Sequence, residues 1–113
     1  MRRIEEVRFH YLSMPTVTTA ADGSQDALLV HVAAGPDEGW GECEASPLAS
    51  IAAWVAPMSH GACRPVRDAV LGEPLESPED IARIARKVSS WSMDLLQAAH
   101  VWSGVEIALW DLL

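Results

Sequence analysis

The sequence closes with Ser103-Gly104-Val105-Glu106-Ile107-Ala108-Leu109-Trp110-Asp111-Leu112-Leu113, whose apolar residues recur at intervals of three to four. Such spacing is typical of an amphipathic helix. No glycine, asparagine or proline ends this helix, so its last carbonyl groups have no predicted partner. We therefore expect further chain downstream. The apolar side chains that it would cover are Leu109, Trp110, Leu112 and Leu113.

Length and charge limit the functions that this chain can have. It has 113 residues, half of them hydrophobic, which suits one compact domain and leaves no room for a second catalytic one. Its formal net charge of -8 would repel a phosphate backbone, so no nucleic-acid partner is expected. The longest apolar stretch, 27–34, is far shorter than the roughly 20 residues that span a bilayer. We expect a cytoplasmic protein with no membrane partner.

The two cysteines, Cys43 and Cys63, fall in different predicted elements and give no disulfide framework, so both are expected to be reduced. His60 and Cys63 have the spacing of metal ligands, and Cys43 would be a third zinc ligand. A fourth ligand is absent from the pattern. The sequence therefore predicts no metal site.

Residues 1–45 have the pattern of three antiparallel strands. Apolar and polar residues alternate from Glu6 to Tyr11, which predicts a half-buried first strand. The polar stretch from Ser13 to Gln25 is too long for a tight hairpin. An apolar run over 27–33 predicts the second strand. A reverse turn over 35–39 leads to the third strand, Trp40 to Glu44.

From residue 46 onward the periodicity becomes helical. A short helix is predicted from a capping Ser50 to Val55, and a second over 64–71 with Pro65 in its first turn and Gly72 at its end. A third begins at Ser77-Pro78, followed by two acids that favour the positive end of the helix dipole. Its apolar face would contain Ile81, Ile84, Val88 and Trp91, and its water-facing side Arg83, Arg86 and Lys87.

The last helix is expected to begin near Ser92 or Asp94 and to bury one stripe, made of Leu95, Ala99, Trp102, Glu106 and Leu109. A three-stranded antiparallel meander over 1–45 is thus followed by a helical bundle over 46–113. This arrangement is an α+β fold in a single domain.

Few residues point to chemistry. Gly39-Trp40-Gly41 precedes a strand and not a helix, so it does not predict a phosphate-binding loop; its glycines would instead allow close packing. Glu42 and Glu44 lie two apart on a strand and would point to the same side, where they could bind a cation, share a proton or face solvent. Glu106 could have a raised pKa or an arginine partner.

The remaining ionisable and aromatic residues are expected to be structural. The four histidines, His10, His31, His60 and His100, are dispersed. Of the five tryptophans, Trp91 and Trp102 are predicted to pack in the core, whereas Trp110 would belong to an interface. No catalytic residue is predicted.

Gly39-Trp40-Gly41-Glu42, the closing motif and the order of elements together resemble the amino-terminal capping domain of the enolase superfamily, in its mandelate racemase and muconate-lactonizing branch. The likeness runs from Ile4 to Leu113. It implies that a (β/α) barrel of roughly 200 residues or more follows, with its active-site groups at the carboxyl ends of the strands. Those groups are a lysine motif, three Mg²⁺-binding carboxylates and a second acid or base. None has a counterpart here.

In that family the reaction begins with removal of the proton next to a substrate carboxylate, and Mg²⁺ and fixed cations stabilise the resulting enediolate. The resemblance implies that the capping domain excludes water and selects the substrate through two lid loops. These map onto Ser13 to Gln25, the first lid loop, and Glu44 to Ser50, the second. The implied substrate contacts are Met14, Pro15, Thr16, Thr18, Thr19, Ser46, Pro47 and Leu48. The alternative for each is an ordinary surface position.

The resemblance thus implies the capping and substrate-specificity domain of a Mg²⁺-dependent acid-sugar dehydratase, racemase or cycloisomerase. This chain alone would be inactive. Its partners would be the missing barrel, a small carboxylate substrate once the barrel is present, and other copies of itself through the apolar carboxyl end. The alternative is a self-sufficient binding or scaffold module that has no barrel.

Overall fold

Three strands precede the helices, as the sequence predicts. The computed structural model describes residues 1–13, 26–43, 47–56, 64–91 and 97–113. Predictions that concern Glu44, His60, Cys63, Leu95 and the start of the last helix lie outside these ranges. The elements are β1 Ile4–Leu12, β2 Ala27–Ala34, β3 Asp37–Cys43, α1 Pro47–Val55, α2 Val66–Val70, α3 Pro78–Trp91 and α4 Gln97–Leu112.

The sheet is an antiparallel meander in the order β1-β2-β3, which confirms the predicted topology. Ala34 pairs with Asp37, so the turn between β2 and β3 has only two central residues, Gly35 and Pro36. The predicted turn over 35–39 was therefore too long. Gly35 has a φ of 60°, a conformation that glycine adopts at little cost. Its place at the first central position suits a two-residue hairpin.

One face of the sheet forms half of the core. Alternate residues of β2 are fully buried: Leu28, Val30, Val32 and Ala34. On β1 the register shifts between Ile4 and Glu6, so that Ile4 and Val7 both reach the core. Phe9 also packs there, with its ring 5.3 Å from that of Trp54. The inward position expected for Tyr11 was wrong, because this side chain is 39% exposed beyond the covering helices.

Two glycines let α4 lie directly on β3. A methyl group on Gly41 would come within 2.8 Å of the Ala108 nitrogen, and one on Gly39 within 2.6 Å of the Leu112 nitrogen. Both clashes involve helix backbone, which a rotamer change cannot relieve. The expectation that the Gly-Trp-Gly segment permits close packing is confirmed. The Asp111 carboxylate adds a hydrogen bond of 2.8 Å from the Trp40 backbone N–H.

The ends of the shorter helices differ from the prediction. α1 begins at Pro47, and Ser50 lies buried inside it and does not cap it. α2 covers only Val66–Val70, with Pro65 before it, while Gly72 follows with the expected positive φ of 82°. Proline has no N–H to give, so it suits the position before a first turn.

α3 begins at Pro78 and buries Ile81, Ile84 and Val88, as predicted. At its start the Asp80 carboxylate accepts hydrogen bonds from the backbone N–H groups of Glu76 and Ser77. An acid at the third helical position that accepts from the residue before the helix is the reciprocal half of a capping box.

Two cations of α3 that were expected to face water are paired. Arg83 donates to Glu73 at 2.8 Å, and Lys87 bonds to the other oxygen of the same carboxylate. Trp91, half-buried, has Lys87 4.4 Å and Arg64 4.6 Å from its ring centre. The pairing joins α3 to the segment before it, which itself pairs with the start of β1 through Ile4 and Arg3.

The buried stripe of α4 is offset from the predicted one. Ala99 is exposed, and Trp102 and Glu106 are only half-buried. The buried side chains are those of Ala98, Val101, Val105, Ala108, Leu109 and Leu112. The offset arises because α4 meets β3 through glycine and alanine, whose small side chains leave little hydrophobic signal.

The carboxyl end of α4 is largely covered by the domain itself. Leu109 is 0% exposed and Leu112 only 8%, so the expectation that both await a further segment was wrong. Trp110 and Leu113 stay exposed. Within the described ranges, no helix has both the length and the apolar character that a bilayer span requires.

Candidate functional site

The two predicted lid loops attach to the same end of the sheet. The last residue of β1, Leu12, pairs with the first of β2, Ala27, and the neighbouring Leu28 pairs with Cys43 at the end of β3. α1 starts only four residues after Cys43. The described residues on either side of both loop segments therefore all lie at the same end of the sheet.

A hydrogen bond closes the base of the first loop. The Tyr11 hydroxyl donates to the Asp26 carboxylate, across the point where β1 ends and β2 begins. This bond, together with partial desolvation and the negative charge of Asp26, raises the pKa of Tyr11. Tyr11 is therefore a neutral donor at physiological pH. Sequence reasoning missed this pair, because it assigned Tyr11 to the core.

The base of the second loop is buried and joins three elements. The Cys43 thiol, at the end of β3, donates to the backbone oxygen of His100 on α4 at 3.1 Å. Its sulfur also lies 3.3 Å from the hydroxyl of Ser50 on α1. Cys43 is a free thiol, as expected. We call these residues, with Gly104 beneath Cys43, the Cys43 junction.

Most of the predicted substrate contacts lie outside the described residues: Met14, Pro15, Thr16, Thr18, Thr19 and Ser46. The other two begin α1. Pro47 is half-buried, whereas Leu48 is 67% exposed. Leu48 therefore presents an apolar side chain at the end of the sheet where both loops attach.

The ionisable side chains of the described residues are dispersed. Among them, no three His, Cys, Asp or Glu side chains come together where they could hold a metal ion. Glu42 is exposed on β3, and Glu106 is half-buried on α4. His31 lies 2.9 Å from Glu38 and against Trp40 on the sheet. The His100 Nδ1 atom is buried without a hydrogen-bond partner among the described residues.

A second surface feature lies on α4. Ile107, Trp110 and Leu113 are 49%, 51% and 41% exposed, at spacings of three along the helix. They form a partly exposed apolar strip, which at Ile107 borders the face that packs on β3, since a methyl group on Gly41 would lie 3.1 Å from the Ile107 Cβ. The exposure of Trp110 and Leu113 was expected. Ile107 was missed, although its place in the same repeating pattern indicated it.

Comparison with solved structures gives two extensive matches. A predicted mandelate racemase from Rhodobacter sphaeroides is 67% identical, with a TM-score of 0.91, over 99% of this chain and 29% of that one. A mandelate racemase/muconate lactonizing enzyme-like protein from Rubrobacter xylanophilus DSM 9941 is 30% identical, with a TM-score of 0.56, over 98% of this chain and 24% of that one. No protein-family model and no curated protein matches the chain.

The antiparallel meander with its covering helices is the amino-terminal fold of the enolase superfamily. The chain belongs to the mandelate racemase and muconate-lactonizing branch of that superfamily. It spans less than a third of the length of the two matched proteins.

Proposed function

We propose that this chain is the capping and substrate-specificity domain of a Mg²⁺-dependent enzyme that abstracts the α-proton of a carboxylate substrate. The observation that carries the proposal is the attachment of both lid loops to one end of the sheet. Loops placed in this way reach a common target, which in this family is the mouth of a (β/α) barrel. The reaction would be that of an acid-sugar dehydratase, a racemase or a cycloisomerase.

Catalysis and selection would then be divided between two domains. The described residues do not fit a metal site, so the Mg²⁺ ion and the proton-transferring groups belong to the barrel. Bound Mg²⁺ supplies stabilisation of the negative charge that develops on the substrate carboxylate. The capping domain excludes water, which strengthens the electrostatic interactions inside the closed site.

Within the lid, the polar and apolar residues have different proposed roles. Thr16, Thr18 and Thr19 would hydrogen-bond substrate hydroxyl groups, and Ser46 lies in the second loop. Met14, Pro15, Pro47 and Leu48 would form an apolar roof. The exposure of Leu48 supports its part, because an apolar side chain that is 67% exposed at this end is accessible to a substrate or to the barrel.

The barrel is the proposed partner of the domain, and a cytoplasmic location stays a prediction. This chain alone should bind Mg²⁺ no more tightly than a generic acidic surface. Isothermal titration calorimetry on the purified chain checks this expectation. A stoichiometric site with micromolar affinity would contradict it.

A chimera tests the proposal directly. The identity of 67% over nearly the whole chain makes it feasible to replace the matching segment of the Rhodobacter sphaeroides protein with this chain. With Mg²⁺ in D₂O, the chimera should exchange the α-proton of at least one member of a panel of 2-hydroxy and sugar acids, followed by NMR. The native Rhodobacter protein is the positive control. A folded chimera that exchanges none of the acids exchanged by that control would refute the proposal.

The burial of Leu109 and Leu112 favours a second candidate, a self-sufficient binding or scaffold module. A domain that covers most of its own last helix does not need a barrel in order to fold. The two candidates separate on the face of α4 that stays exposed. A strictly monomeric chain at high concentration would favour the scaffold module, because the capping domain should leave a sticky surface there.

A further inference from the structure

We infer that the Cys43 junction positions the second lid loop, and that Cys43 and Ser50 thereby influence substrate affinity without touching the substrate. The inference rests on the proposed function. The sequence indicated no contact between these two residues: Cys43 was predicted to be a reduced thiol, and Ser50 a helix cap at the end of the second lid loop.

The junction holds both ends of the loop segment at one point. Only three residues separate Cys43 from Pro47, the first residue of α1. Cys43 is 2% exposed, and Ser50, in the first turn of α1, is fully buried. A side-chain contact between them fixes the distance between the strand end and the helix start.

Directionality follows from the number of protons available. The thiol has one proton, and it goes to the His100 backbone oxygen. The Ser50 hydroxyl is therefore the donor to the sulfur, 3.3 Å away. The sulfur is held from α4 and α1 at the same time, so the end of β3 cannot shift relative to either helix without breaking a buried bond.

Gly104 makes this arrangement possible. A methyl group at position 104 would lie 2.9 Å from the Cys43 side chain and 3.2 Å from its backbone nitrogen. Only glycine lets the strand end come close enough for the thiol to reach α4. Glycine is normally unfavourable inside a helix. The close approach of Cys43 explains why position 104, in the Ser-Gly-Val-Glu segment of α4, is a glycine.

Loss of the Ser50 hydroxyl should therefore loosen the second loop while leaving the core intact. Serine to alanine removes one buried oxygen and creates almost no cavity. A loosened loop must be ordered when substrate binds, which raises KM. In the chimera, Ser50→Ala should raise KM roughly 2- to 12-fold, the range of one ordinary hydrogen bond. The value of kcat should stay within about twofold, since the proton-transferring groups lie elsewhere.

Two variants control this measurement. Ser90→Ala removes an exposed hydroxyl that bonds to Lys87 on α3, and should leave KM unchanged. Cys43→Ser keeps one donor and one acceptor at the junction, and should restore most of the affinity that Cys43→Ala loses. A Ser50→Ala chimera that unfolds at lower temperature but keeps its KM would overturn the inference. Equal changes in kcat and KM would also overturn it.

Hydrogen exchange on this chain itself tests the positioning without any enzyme activity. Amides of residues 44–46 should exchange roughly 2- to 12-fold faster in Ser50→Ala than in the wild type, and at the wild-type rate in Ser90→Ala. Unchanged exchange in Ser50→Ala would refute the positioning. An inactive wild-type chimera would instead refute the proposed function. The hydrogen-exchange result would still test the positioning, because it needs no enzyme activity.

Discussion

The two faces of α4 meet opposite surroundings over the same stretch of chain. On the inner face, Gly39 and Gly41 bring β3 against the helix backbone, and Leu109 is completely enclosed. On the outer face, Ile107 and Trp110 are about half exposed. Leu109 and Trp110 are neighbours in sequence, yet the first is fully buried and the second is 51% exposed.

Apolar residues of one helix can therefore have two different roles, in the core of the domain and on its surface. The inner face packs against β3 and belongs to the buried core. The outer face leaves about half of Ile107 and Trp110 accessible, which is typical of a surface that binds another domain or another molecule. An apolar carboxyl end is thus not evidence of an unfinished core.

The largest effect should come from breaking the inner face at Gly41. In Gly41→Val the new side chain meets the backbone of α4, and we expect no cooperative unfolding transition by circular dichroism. Gly72→Val is the matched control, because no atom lies within 4 Å there and the cost is only that of the positive φ, about 2 kcal/mol. A Gly41→Val protein as stable as Gly72→Val would show that β3 and α4 are not packed so closely.

A smaller effect should follow from truncating leucines on the two faces. Leu109→Ala removes an enclosed side chain and should lower the free energy of unfolding by about 2 to 5 kcal/mol. Leu113→Ala, four residues later and 41% exposed, should cost less than about 1 kcal/mol. Urea denaturation followed by tryptophan fluorescence measures both. Equal decreases in the free energy of unfolding for the two variants would contradict the difference in burial between the two faces.

Self-association should depend on the outer face alone. Burying a leucine-sized side chain is worth about 1.5 to 3 kcal/mol, so the exposed residues favour dimers or larger species at micromolar concentration. Trp110→Ser combined with Leu113→Ser should shift the population toward monomer, as measured by light scattering. Leu71→Ser, at a leucine of equal exposure (42%) beyond α2, should change nothing. Loss of association in Leu71→Ser would place the sticky surface elsewhere.

The smallest effect concerns acid, which should weaken the α3 side of the molecule. Burial of Glu73 opposes its ionisation, but hydrogen bonds from Lys87 and Arg83 outweigh this and lower its pKa below the ordinary 4.5. Because the folded-state pKa is the lower one, Glu73 stabilises the fold above pH 4.5, and this contribution is lost as the pH falls through the folded-state pKa.

The Glu73→Gln variant should lower the free energy of unfolding by about 1 kcal/mol at pH 7 and flatten its dependence on pH between 3 and 5. Glu79→Gln, at an exposed acid in the first turn of α3, serves as the control for loss of charge alone. Urea midpoints across this pH range decide between them. The Leu109→Ala penalty should be the same at every pH, because the inner face of α4 is apolar.

Sequence patterns predicted the elements that depend on local signals. Alternation located β1, and Ser77-Pro78 located the start of α3, because the period of a strand and the cap of a helix each depend on only a few neighbouring residues. The stripe of α4 was misplaced because its packing uses glycines of another element. Likewise the partners of Arg83 and Lys87, and of Cys43 and Ser50, are set by the fold and not by spacing along the chain.

The candidate site was predicted only through family resemblance. That resemblance predicts two lid loops, and the sheet register brings together the described residues next to both segments. It could not indicate the bonds beneath them. Tyr11 with Asp26 and Cys43 with Ser50 are ordinary residues at unremarkable positions, and only the assembled sheet ends bring each pair into contact.

The hydrogen bond from the Trp40 N–H to Asp111 lies at the edge of the sheet. Among the described strands, β3 pairs on one side with β2, and the unpaired amides of such an edge strand can template the addition of a foreign strand. Asp111 occupies one of these amides with a negative charge, and exposed Glu38 and Glu42 flank it at alternate positions. Two copies that paired through β3 would bring these carboxylates against each other. The helix that covers the core therefore also occupies a hydrogen-bond donor that a foreign strand would need.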